Sequence, residues 1–142
     1  MTPSATRGLR VAEHPTVLLD TSVVIAPPSD LAAVADSFAV STISVAELAS
    51  GLHASSDPVE QSRRAERFAQ VLATATPLPY TTSAARLYGA LCDAVRVSGR
   101  NPRPRRLDLL IASVAGDLGV PLLTRNPDDF TGIHPVVQVV AV

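Results

Sequence analysis

Apolar positions along this chain alternate between short continuous runs and longer stripes at helical spacing. Residues 16–19 form an apolar run closing on Asp20, the signal of a strand buried on both faces. Pro27, Pro28 and Ser29 break the chain; residues 31–36 predict a short helix and residues 38–40 a second strand. The pattern is helical over residues 45–52, with Ser44 in front as N-cap. It is helical again over residues 59–72, where Val59, Phe68, Val71 and Leu72 oppose Glu60, Arg63, Arg64 and Glu66. Residues 76–78, bounded by Pro77 and Pro79, make a weak third strand. Residues 82–98 put Ala84, Leu87, Leu91, Ala94 and Val95 on one helical stripe. A loop with two prolines (99–106), a helix (107–118), a strand (122–124), a turn around Pro127 and a last strand (136–142) complete the chain. Strands alternating with helices predict a mainly parallel sheet covered on both faces. Residues 1–15 show no periodicity and read as a flexible N-terminal tail.

A length of 142 residues is enough for one domain, here residues 16–142, with a real core. The single cysteine, Cys92, and three isolated histidines, His14, His53 and His134, exclude a disulfide scaffold and a zinc site and fit a reducing cytoplasm. No apolar run approaches the roughly 18 residues of a membrane span, so no membrane role is expected. Formal net charge is −1, which calls for no polyanionic partner by itself. All twelve basic residues are nevertheless arginine, and Arg96, Arg100, Arg103, Arg105 and Arg106 crowd one stretch without an acid among them. With 4% aromatic residues and no tryptophan, a base-stacking platform is not expected, so contact with nucleic acid has to come from charge. Tyr80, Tyr88 and Cys92 read as core or near-core residues.

Three acids carry the candidate chemistry. Asp20 follows the first buried strand, at the edge where open α/β sheets bind ligands; a turn or helix cap explains it equally well. Glu47 stands three residues after Ser44, so the two match a capping box, or else Glu47 presents its carboxylate toward the same edge. Asp108 opens a helix, where the dipole favours an acid. Leu107, Leu109 and Leu110 crowd it, and a partly buried carboxylate needs a partner charge. The polar segment from Thr124 to Asp129 offers a further acid and an amide, or simply a turn. Carboxylates converging at one strand edge repel one another unless a hard cation lies between them. Mg²⁺ takes such oxygen ligands together with substrate phosphate. The chemistry that follows is phosphodiester hydrolysis.

Val17-Leu18-Leu19-Asp20-Thr21-Ser22, Ser44-Val45-Ala46-Glu47-Leu48, Leu107-Asp108-Leu109-Leu110-Ile111-Ala112 and Leu122-Leu123-Thr124-Arg125-Asn126-Pro127-Asp128-Asp129-Phe130 occur in the order seen in PIN domains. From Val17 to the C-terminus the chain resembles the VapC-type toxins of bacterial toxin–antitoxin pairs. The resemblance implies a three-layer α/β/α sandwich around a mainly parallel sheet, and a ribonuclease that uses Mg²⁺ or Mn²⁺. It implies catalytic and metal-ligating roles for Asp20, Glu47 and Asp108, with Ser22 and Thr124 supporting the site by hydrogen bonds. Many PIN domains carry aspartate where this chain has Asn126; Asp129 then either compensates as a fourth acid or caps the following turn. An RNA substrate, a cognate VapB-like antitoxin and a homodimer are the partners implied. Arg103, Arg105 and Arg106, immediately before Asp108, are the expected substrate-binding residues, against the simpler reading of a solvated loop.

Other classes fit less well. A haloacid-dehalogenase-like phosphatase needs a second aspartate where Ser22 stands. A response-regulator receiver needs a lysine that the chain does not contain. A catalytically weak PIN-fold module that binds RNA or protein is the remaining alternative; it calls for the loss of Asp20 or Asp108, and both are present.

Overall fold

The computed structural model describes residues 11–142. The first apolar run forms β1 (His14–Leu19), and five residues beyond Asp20 coil into α1 (Thr21–Ile25). After the proline break come α2 (Leu31–Val34), β2 (Ala35–Ala39), α3 (Thr42–Gly51), α4 (Pro58–Thr74), α5 (Thr82–Val97), α6 (Arg106–Leu118), β3 (Leu122–Thr124) and β4 (Val139–Ala141). Short 3₁₀ turns occupy Arg103–Arg105 and Pro127–Phe130. The strands pair in the order β2-β1-β3-β4, all parallel.

Alternation along β1 assigns its side chains to two cores. Leu18 joins Leu122, Leu91, Val95, Leu109, Ile111 and Phe130 beneath α5 and α6. Val17 and Leu19 point the other way, into Val23, Ala35, Val40 and Leu123, with Val71 of α4 packed against them. Helices therefore cover both faces, and the fold is a three-layer α/β/α sandwich. Each fully buried leucine at the centre stabilises it by about 1.5–3 kcal/mol. Gly116 permits the close crossing of α5 and α6, because a Cβ there would run into Leu87 of α5 and Val137. Arg64 of α4 donates to the last-turn carbonyl of Gly51 at 2.7 Å, tying α4 to the end of α3. Among the described residues no helix is long and apolar enough to cross a membrane.

Several boundaries differ from the sequence reading. β1 begins at His14, so the last two residues read as tail are strand; the rest of that tail up to residue 10 lies outside the described residues. The predicted helix over 31–36 stops at Val34, because Ala35 and Asp36 belong to β2, where Ala35 pairs with His14 of β1. The weak strand at 76–78 is reduced to one parallel bridge between Ser41 and Leu78. Pro77 and Pro79 have no N–H to extend it. The final strand is only Val139–Ala141, since Val136 and Val137 turn back to hydrogen-bond the Ile133 carbonyl. α1 was not anticipated.

Topology sets the position of the chemistry. β1 ends just before Asp20, and α3 starts just beyond the end of β2. α6 leads back into β3, so its N-terminus lies at the carboxyl edge of the parallel sheet. The four sequence motifs meet there.

Candidate active site

Asp20 is 5% exposed at the end of β1, held by its backbone N–H on the Leu123 carbonyl at 2.9 Å. It stands in the N-cap position of α1, yet its side chain accepts no backbone N–H there. Instead its Oδ2 accepts from the hydroxyls of Ser22 and Thr124, each at 2.8 Å. Thr124 in turn accepts from the Asn126 N–H at 3.0 Å, and Ser22 from the Arg125 N–H at 3.2 Å. A turn-and-cap role for the Asp20 carboxylate is therefore not realised; the carboxylate is oriented by two hydroxyls from two elements.

Glu47 does not form the capping box. The N-cap of α3 is Ser41, whose hydroxyl accepts from Ser44 N–H at 3.2 Å, so the helix starts three residues earlier than expected and Glu47 falls in its second turn. There Glu47 Oε1 accepts from Thr21 Oγ1 at 2.9 Å, and the same hydroxyl lies 2.9 Å from buried Ser44. Burial raises the Glu47 pKa above its ordinary value; the Thr21 hydrogen bond opposes this, and the Asp20 charge adds to it.

Asp108, in the first turn of α6, is half-buried. Its pKa is pushed up to about 6, by burial first and then by the charges of Asp20, Asp129 and Glu47, with Arg105 opposing. Four carboxylates thus share one field. Asp129 is brought in by the 3₁₀ turn that Phe130 anchors in the core, and it pairs with Arg105 at 3.0 Å. Asn126 is exposed and its backbone N–H donates to Thr124, while Asp129 is the further acid whose charge is felt at Asp108.

Glu47 and Asp108 line an open cleft of about 340 Å³ together with Arg103, Pro104, Arg106 and Leu107. Arg103 and Arg106 therefore face the same space as two of the acids. Arg105 is instead engaged by Asp129, which sets it apart from the other two expected substrate contacts. The sequence reading missed Thr21. A threonine beside Asp20 carries no signal of a bond to a glutamate 26 positions away.

The donor set suits a hard divalent cation. It is all oxygen, carries excess negative charge, and is half-buried at one end of the cleft. Among the described residues no three acidic, histidine or cysteine side chains stand close enough together to hold a metal ion between them, so substrate or water oxygens would have to complete the coordination.

A family model described as the PIN domain matches residues 17–133. Among solved structures, a chain of the VapBC-5 complex from Mycobacterium tuberculosis, a member of the VapBC family of toxin–antitoxin systems, is 32% identical with a TM-score of 0.79, covering 89% of this chain and 98% of that one. The chain belongs to the PIN domain family, in its VapC-type branch. FitAcB from Neisseria gonorrhoeae is similar at 24% identity and TM-score 0.71, over 87% of this chain and 95% of that one. VapBC2 from Rickettsia felis, crystallised on a DNA fragment from its promoter, is similar at 23% and 0.69, over 89% and 98%. At those identities the likeness is one of fold. No curated protein sequence matches the chain.

Proposed function

We propose that this protein is a toxin that hydrolyses RNA phosphodiester bonds internally with Mg²⁺, or Mn²⁺ in its place, and is silenced by a cognate VapB-like antitoxin. One observation carries the reading: Asp20, Glu47, Asp108 and Asp129 gather their charges at the carboxyl edge of the sheet, beside a cleft that two arginines also line. Asp20 and Asp108 would hold the ion, and Glu47 would hold either the ion or a water beside it. Ser22 and Thr124 fix the Asp20 carboxylate, Thr21 fixes that of Glu47, and Asp129 lends charge to the cluster while restraining Arg105. A divalent cation there supplies charge to offset that developing on the phosphate and makes a water a usable nucleophile. Arg103 and Arg106 hold the backbone phosphates beside the cleft, with guanidinium geometry suited to bidentate contact. The protein acts in the cytoplasm as a homodimer, with the working domain beginning at β1 (His14–Leu19).

Expression in bacteria without an antitoxin tests the reading. Wild type is expected to arrest growth and to generate new RNA 5′ ends at defined positions; Asp20→Ala is expected to do neither while accumulating as folded protein. Growth arrest by Asp20→Ala with the same RNA ends would overturn the assignment. The weak binding module remains the second reading only if wild type binds RNA and never cuts it.

A further inference from the structure

Beside the cleft lies a second recess, of about 370 Å³, which adds Arg96, Asn101 and Tyr88 to the two arginines already assigned to the cleft. Arg96 from the last turn of α5, Arg103 from the 3₁₀ turn and Arg106 from the first turn of α6 converge on it, with Tyr88 and Asn101 in the wall. Among the described residues none of these three guanidiniums makes an ion pair; Arg63, Arg64 and Arg105 are the arginines that do. Three like charges around one hollow repel one another, and an anion in the hollow removes that repulsion. Asn101 helps to build the wall: its Oδ1 accepts from Arg103 N–H at 3.0 Å, which fixes the turn that presents Arg103. Buried Pro102 anchors the same turn. The recess and the cleft share Arg103 and Arg106 as lining residues, so the two hollows adjoin.

We propose that the recess formed by Arg96, Arg103, Arg106, Asn101 and Tyr88 is a phosphate-binding subsite for the RNA strand, holding a backbone phosphate away from the scissile bond. The proposal rests on the ribonuclease reading above and extends it: cleavage then depends on a strand long enough to reach from the cleft to the recess. Arg96 is the residue to change, because it lines the recess and not the cleft. It acts by holding the substrate and touches no reacting atom.

The test is binding of a single-stranded RNA by the full chain with divalent ions chelated, measured across a range of salt concentrations. A dinucleotide serves as the short ligand, and Arg86→Ala, an exposed arginine elsewhere on α5, as the control. Arg96→Ala is expected to weaken binding of the long RNA severalfold and to flatten its salt dependence by a slope of about 0.7, the loss of one phosphate contact. It should leave dinucleotide binding unchanged, and with Mg²⁺ present it should raise KM for the long RNA without lowering kcat. Arg86→Ala should do none of this, and Arg96→Lys should recover most of the slope. Wild-type slope and affinity in Arg96→Ala would overturn the subsite while leaving the ribonuclease reading intact. Loss of binding to an oligo-glutamate peptide with RNA binding untouched would assign the recess to an acidic protein segment and also overturn it. A wild type that neither binds nor cuts RNA would remove the ribonuclease reading itself, and the subsite with it.

Discussion

Two hydroxyl-bearing residues in succession, Thr21 and Ser22, divide the work of aiming two carboxylates. Ser22 reaches back to Asp20, and Thr21 reaches across to Glu47. Thr21→Val keeps the shape and removes the bond, so Glu47 is released and Ser44 loses a buried neighbour at a cost of about 1–2 kcal/mol. We expect kcat for RNA cleavage to fall about tenfold in Thr21→Val and to return in Thr21→Ser; unchanged kcat in the valine variant would show that Glu47 needs no aiming. Asp108 gives a second expectation, in the metal-free protein. Its folded pKa of about 6 lies above the ordinary 3.8, so the folded state binds the proton more tightly than the unfolded chain. Stability contributed by that proton is complete below pH 4 and is lost as pH rises toward 6. Asp108→Asn should therefore raise Tm in chelator at pH 7.5 by the equivalent of on the order of 1 kcal/mol, since solvent screens a half-buried group. The gain should vanish near pH 4. A destabilised Asp108→Asn at pH 7.5 would mean that the four-acid field is not felt.

At the scale of elements, what the sequence disclosed depended on how far the deciding contacts lay. β1 was legible because Val17, Leu18 and Leu19 are buried on both faces and need no partner to be recognised. The helices over 82–97 and 106–118 were legible from stripes several turns long. α1 was not: five residues are too few to show a period. The start of α3 was misread because Ser41 and Ser44 are both good caps. The choice is made by Leu78, whose carbonyl takes the Thr42 N–H and whose N–H takes the Val40 carbonyl, each at 2.9 Å, fixing Ser41 just outside the helix. Hence Ser41→Ala should cost about 1 kcal/mol by thermal or urea unfolding, the usual worth of a cap. Glu47→Gln should leave stability unaltered, since Glu47 caps nothing. Unchanged stability in Ser41→Ala would contradict Ser41 as the cap. The approach of Asp129 to Asp108 likewise depends on the 3₁₀ turn anchored by Phe130, which no local pattern in the sequence announces.

For the molecule as a whole, parallel strand order places the ends of β1 and β3 and the starts of α3 and α6 at one edge, so residues as far apart in the chain as Asp20 and Asp108 act on one another. The acids themselves were legible as a family pattern, and so was the α/β/α architecture. The hydroxyls that orient them, the Arg105–Asp129 pair and the recess beside the cleft were not, since each depends on packing between elements distant in the chain. If the edge cluster acts through a divalent cation, a titration of RNA cleavage by the purified protein against Mg²⁺ tests it most directly. That role predicts no cleavage in chelator and full recovery on returning Mg²⁺ or Mn²⁺. With saturating ion it predicts a loss on the order of a hundredfold or more in Asp20→Asn and Asp108→Asn. Cleavage at the wild-type rate in chelator, or in either variant, would contradict it.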